Sequence, residues 1–323
     1  MKKKQLGLGI LCMICFSAIS ANTSIKGTDA LKEDVKETPE KKDARYSLSA
    51  LAEYNDFKYN SSNSTNFYHF SGHTDLYLFG ANDAKITDKL TGGVLLYSTK
   101  TSLKSKAIFY PQRPVNTHQD IRISNLAAHI VRAFKEHSYV DVMGGYGHGD
   151  MQNSTALSDG TQHSNAKGDL HNWFASVSGG DVRSWRQFLI RSTITLLFSD
   201  VNQQSFNVHS AFTPTTVASL INKSTYLLEN AEITYQKSEK IQPFVSGGLL
   251  QVLQFSNSRP VISNVAVVGS LPEFNLDQNG FRIGAGLSYH YKQFSVRVEQ
   301  QYDQRGTVYH NNQSIITLGI ALA

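Results

Sequence analysis

The sequence predicts an all-β protein: a transmembrane, antiparallel, up-and-down β-barrel of about twelve strands. Three observations predict it. Apolar and polar residues alternate with period two through most of the chain. Long and short connections alternate between the strands. The chain also starts with an export signal and contains no later apolar run of 18 residues, the length a transmembrane helix requires.

The N-terminus sets the compartment. Lys2, Lys3 and Lys4 precede an apolar run over 6–19, and the small residues Ala18, Ser20 and Ala21 follow it. These are the n-region, h-region and cleavage region of a signal peptide, assigned to 1–21. Both cysteines, Cys12 and Cys15, lie inside it. The mature chain therefore has no disulfide, thiol nucleophile or Cys-ligated metal. The formal charge of +5 falls to +2 when the three signal lysines are removed. That near balance argues against a nucleic-acid partner. Residues 22–45 are charged and lysine-rich, and read as a periplasmic tail with a helical turn or two before Pro39.

The barrel is assigned to 46–323. Its strands are expected over 46–56, 72–81, 89–98, 120–134, 138–147, 170–179, 187–199, 225–236, 241–255, 280–291, 294–303 and 314–323. Short turns fall at 82–88, 135–137, 180–186, 237–240 and 292–293. Long loops cover 57–71, 99–119, 148–169, 200–224, 256–279 and 304–313. Short turns on one rim and long loops on the other are how outer-membrane barrels are built. An even strand count puts both chain ends on the short-turn, periplasmic side.

The hairpin over 280–303 carries the pattern most clearly. Phe281, Ile283, Ala285, Leu287, Tyr289 and Tyr291 share one face; glycines, Arg282, Ser288 and His290 share the other. On its second strand Phe294, Val296, Val298 and Tyr302 oppose Ser295, Arg297, Glu299, Gln301 and Asp303. Successive side chains in a strand point to opposite faces, so the apolar wall is expected against lipid and the polar wall in the lumen. Two stretches depart from the pattern. The apolar phase over 120–134 changes near His129, and 241–255 is apolar on both faces around 247–250. A bulge is expected in each. Aromatic residues beside the turns (Phe134 and Tyr139, Trp185 and Phe188, Tyr291 and Phe294) are expected to form the periplasmic girdle.

The stretches SYVDVMGGYGHGD, KIQPFVSGGLLQV, NGFRIGAGLSYHYKQFSVRVEQQYD and SIITLGIALA, with Pro243 and Phe244 in the second, resemble the C-terminal translocator barrel of autotransporters. The resemblance covers 46–323. It implies a twelve-stranded outer-membrane barrel with a helix running through the pore from an N-terminal passenger. Residues 22–45 are too few to be a folded passenger, and Ala323 stands where such barrels usually end in an aromatic residue. The expectation is therefore a stand-alone, non-enzymatic barrel in a bacterial outer membrane, porin-like or structural. The alternative is a surface protein making adhesive or host contact through its long loops, and the third reading is an outer-membrane lipid or peptide hydrolase.

Six charged residues are expected to face the lumen: Asp141, Arg191, Glu232, Arg282, Arg297 and Glu299. They either brace the interior as paired charges or set the selectivity of a narrow pore. No catalytic residue, cofactor or metal ligand is assigned. His148, His163 and His171 bracket the third long loop near Asp150, Asp159 and Asp169, without H-E-x-x-H spacing, and read as solvated loop residues. Ser176 and Ser178, a few residues after His171, carry no further mark of a nucleophile. Lys100, Lys104, Lys106 and Arg113 make the second long loop basic, suited to lipopolysaccharide phosphates. The apolar runs 217–221 and 261–268 suit strand extension above the membrane, a constriction folded into the lumen, or a binding surface. The expected partners are outer-membrane lipid and lipopolysaccharide, the barrel-assembly machinery, and a small solute or host-surface ligand.

Overall fold

The computed structural model describes residues 46–62, 66–109, 115–134, 137–157, 163–204, 206–210, 215–217, 220–257 and 279–322. The signal and tail, 1–45, lie outside them, as do Arg113, Asp159 and the run 261–268. Fourteen strands form, in chain order β1 (Tyr46–Ser62), β2 (Asn66–Thr87), β3 (Leu90–Phe109), β4 (Val115–Phe134), β5 (Ser138–Leu157), β6 (His163–Trp185), β7 (Phe188–Gln203), β8 (Phe206–Ser210), β9 (Thr215–Val217), β10 (Leu220–Tyr235), β11 (Ile241–Asn257), β12 (Gly280–Tyr291), β13 (Phe294–Arg305) and β14 (Tyr309–Leu322). Twelve of them pair antiparallel with their neighbours in a ring, which β14 closes onto β1. The short strands β8 and β9 form a hairpin in the β7–β10 connection, and β8 pairs with β6.

A hydrogen-bonded row does not close on itself. It runs from Arg132 on β4 through Val140, Gly179, Ile194, Glu229, Leu249, Phe281, Gln304, His310, Lys58, Ser71 and Lys104, and returns to β4 at His118. The stagger from 132 to 118 is fourteen residues. With about 3.4 Å per residue and about 4.8 Å between strands, twelve strands at that stagger tilt by about 40°.

The walls differ in height. Strands β2 to β6 have 20 to 23 residues, and β12 to β14 have 12 to 14. At that tilt a 22-residue strand rises about 55 Å, against an apolar belt about 25 Å tall. The expected long loops 57–71, 99–119 and 148–169 are therefore mostly strand, with 63–65, 110–114 and 158–162 outside the described residues. Outside the bilayer, neighbouring strands still satisfy each other's backbone groups, so a polar outer face does not end them. Between the ring strands, β7 and β10 are separated by 204–219, which holds β8 and β9, and β11 and β12 by 258–279.

Belt and rim carry opposite patterns. In the belt the large apolar residues point outward: Tyr77, Phe79, Leu96, Leu126, Val142, Val177, Leu196 and Ile283 are all exposed. Above it, on the tall wall, Phe57, Tyr59, Phe70, Leu103, Ile121, Ile123, Met151 and Leu170 point inward and are buried. Tyr59 stacks on Phe70 with centroids 4.6 Å apart. Between these inward residues, Lys58, Lys104, Lys106 and Arg122 face out. This inversion is the phase change near His129. β4 keeps regular register with β3 and β5 throughout, so the expected bulge is absent there. β11 does slip by one residue, at Leu253, opposite the step between Thr225 and Tyr226.

Candidate functional site

The lumen face of the periplasmic half holds a network of buried charges. Parity places its members. Position 191 on β7, 232 on β10, 282 on β12, and 297, 299 and 303 on β13 all fall on the inward face, with Leu196 and Ile283 on the other. Glu232 is shared between two guanidinium groups: Arg191 Nη1 lies 2.8 Å from its Oε1, and Arg297 Nη2 lies 2.7 Å from its Oε2. Arg297 also holds Glu299, with Nη2 2.8 Å and Nε 3.2 Å from Oε2. The second oxygen of Glu299 accepts from Gln301 at 2.6 Å and from Ser246 at 3.2 Å. Thr234 donates to Glu232. Arg282 forks onto Asp303, at 2.5 Å and 3.2 Å. Charges on so enclosed a face need such partners, because an unpaired one would carry a large desolvation penalty.

The network has a platform. The Arg297 guanidinium lies 3.6 Å above the ring of Phe244, a cation–π contact. Phe244 lies flat against its cross-strand partner Gly286, where a Cβ would sit 2.4 Å from the ring. Two other aromatic–glycine partners repeat the arrangement, Phe174 over Gly145 and Tyr139 over Gly180. Glycine in these strands gives an inward ring a place to lie along the wall. Tyr139 is therefore a lumen residue, 5% exposed, and not part of the periplasmic girdle. Phe134, Trp185, Tyr291 and Phe294 do lie on the outer face near the turns.

Asp141 belongs to a different chain of contacts. Its Oδ1 is 3.5 Å from His129 Nδ1, His129 Nε2 is 3.0 Å from Asn82 Oδ1, and Asn82 donates to Ser49 Oγ at 2.9 Å. Five of the six charged residues (Arg191, Glu232, Arg282, Arg297 and Glu299) line one cavity of about 70 Å³; Asp141 does not. Reading the sequence left His129, Asn82 and Ser246 out of the set. His129 and Asn82 share their faces with lumen residues, so parity alone would have admitted them. A partnership such as 232 with 297, 65 positions apart, leaves no sequence mark.

Ser176 and Ser178 are buried on the lumen face, whereas His171 lies on the outer face of the same strand, so these residues do not meet. His148 and His171 sit in strands, not in a loop, and are cross-strand partners. The side chain of His163 lies outside the described residues. Lys100, Lys104 and Lys106 all point outward from β3. Above the lumen charges, Leu51, Leu78, Leu95, Met143, Phe174 and Leu197 belong to one buried apolar cluster.

A family model, the autotransporter β-domain, matches residues 46–301. Among solved structures, the chain resembles the translocator domain of the autotransporter NalP from Neisseria meningitidis, with TM-score 0.65 and 14% identity over 98% of this chain and 100% of that one. The β domain of the Bordetella autotransporter Brka aligns with TM-score 0.60 and 11% identity, over 86% and 100% of the two chains. The transport unit of AIDA-I from Escherichia coli aligns with TM-score 0.57 and 11% identity, over 94% and 98%. At these identities the likeness is one of fold. No curated protein matches in sequence. A closed ring of twelve antiparallel strands with an apolar belt outside and paired charges inside, matched over most of its length by one family model, makes the chain an outer-membrane barrel that belongs to the autotransporter β-domain family.

Proposed function

We propose that the barrel acts in the outer membrane as a narrow channel, polar-lined in its periplasmic half, where the Glu232–Arg297–Glu299 network braces it. The observation that carries this reading is the cavity of about 70 Å³ that these residues line. It is polar and sized for a few waters. A twelve-stranded barrel lies between filled and open-channel sizes, and rings of charged side chains set selectivity where a pore is narrow. The structural neighbours named as a translocator domain and a transport unit suggest a transport role of the same broad kind. In this reading residues 1–21 are the export signal, 22–45 remain on the periplasmic side, the assembly machinery inserts the barrel, and the protein performs no catalysis. Lipopolysaccharide phosphates would meet Lys58, Lys100, Lys104, Lys106 and Arg122 on the outer wall.

Planar-bilayer recording tests the channel. Wild-type protein should give small stepwise currents, and Arg297→Ala with Glu232→Ala should enlarge them. Silence from both proteins would sink the proposal. The raised wall of β2 to β6 favours a second reading, contact with a host or neighbouring surface. Shortening that wall without any loss of cell attachment would remove it.

A further inference from the structure

Three donor atoms converge on the outer face, just above the aromatic edge of the belt. Tyr146 and His148 stand two residues apart on β5, and His171 faces them from β6. The two imidazole rings are 4.7 Å apart between centroids. Their Nδ1 atoms are 3.2 Å apart, and Tyr146 Oη lies 2.8 Å from the same Nδ1 of His171. Cross-strand neighbours come close through their Cβ atoms, but closeness alone does not turn two ring nitrogens toward one point.

The far side of His171 is held as well. Its Nε2 lies 2.9 Å from the side-chain amide of Gln204. The amide nitrogen and oxygen exchange places by a flip, so Gln204 can offer Oε1 there. His171 then donates Nε2–H to the amide and keeps a lone pair on Nδ1, aimed at His148 and Tyr146. Metal-ligating histidines are oriented in this way by an acceptor on their second nitrogen. Two nitrogens each about 2.0–2.1 Å from a tetrahedral ion are about 3.3–3.4 Å apart, close to the spacing seen here.

We propose that His148 and His171, with Tyr146 beside them and Gln204 behind, bind a borderline divalent cation of the Zn²⁺ type on the outer wall of the barrel. Imidazole selects such ions over Mg²⁺ or Ca²⁺. Among the described residues no three His, Cys, Asp or Glu side chains converge on one point. The protein therefore supplies two strong ligands, and the phenol oxygen and water complete the shell. The ion ties β5 to β6 and, through Gln204, to the chain leaving β7.

The test is calorimetric titration of the detergent-folded full chain with ZnCl₂, in a Cys12→Ser, Cys15→Ser background so that thiols do not compete. The proposal expects one saturable equivalent of Zn²⁺. His148→Ala and His171→Ala should each abolish it, Gln204→Leu should weaken it by about 10–100-fold, and His310→Ala on β14 should leave it unchanged. X-ray absorption at the zinc edge should show two imidazoles. His148 is exposed, so His148→Ala is expected to fold and keeps the test valid should His171→Ala misfold. Undiminished binding by His148→Ala would overturn the site. So would no binding by the wild type, which would leave the pair as two hydrogen-bonded histidines.

Discussion

Belt and rim are made from the same strands yet are built inside out relative to each other. On β4, Ile121 and Ile123 point inward and are 1% and 2% exposed, while Leu126 and Ile130, a few residues on, point outward and are 55% and 49% exposed. No bulge separates them. The backbone alternates without interruption, and the apolar residues change from odd to even positions. The difference teaches that the solvent outside sets the phase. Where lipid surrounds the wall, apolar side chains face out and charges hide in the lumen. Where water surrounds it, the wall reverts to the pattern of a soluble barrel.

The largest effects should come from the two interiors. Arg297→Ala leaves Glu232 and Glu299 short of their shared partner and should cost about 3–5 kcal/mol. Ile123→Ala empties an apolar site in the rim and should cost about 2–5 kcal/mol. Urea unfolding in lipid vesicles reads both. If the rim interior tolerated Ile123→Ala with no loss, the inversion would be a matter of pattern and not of packing. The outer faces should show the next largest contrast. Leu196→Arg in the belt should cost about 2–4 kcal/mol, whereas Gln152→Arg on the outer rim should stay within about 0.5 kcal/mol. Equal costs would move the membrane boundary.

Glycines sharpen the contrast between faces within the belt. Gly286→Ala drives a methyl into the Phe244 ring and the Val298 carbonyl, and should destabilise by about 1–3 kcal/mol. Gly179 faces out with open space around its Cβ position, so Gly179→Ala should be close to neutral. A heat-modifiability series on gels separates the two. A gain is expected at Glu229, a carboxylate on the lipid face between Leu227 and Ala231, held 3.3 Å from the Gln251 amide. Carboxylates cost less than Arg or Lys in this setting, so Glu229→Leu should raise stability by about 1 kcal/mol. A loss on that substitution would mean that the carboxylate has a partner in the membrane.

The belt was legible in the sequence because lipid enforces one phase over every strand. The hairpin 280–303 and the ring of twelve followed from that. The rim was not legible as strand. Lys58 and Lys104 read as loop residues, because a polar face beside an inverted apolar one resembles broken alternation. Of the site, parity gave the face of each charge but not its partner. Asp141 and Glu232 look alike in sequence, and the pairing of the strands decides that one meets His129 and the other two arginines. The His148–His171 pair is 23 positions apart and is created by the β5–β6 register alone.

The fourteen-residue stagger also bears on how the ring is completed. When β14 meets β1, a slip of two residues would keep every side chain on its own face, and hydrophobic pattern alone would not resist it. It would, however, change the stagger to twelve or sixteen and the tilt to about 35° or about 43°. The circumference would change with it, whereas Glu232 on β10 and Arg297 on β13 would keep their relative register, because β10 to β13 pair in succession and the seam lies outside them. Side chains that bond across the seam resist such a slip, as buried Asn311 on β14 does by donating to Asn55 Oδ1 on β1 at 3.2 Å.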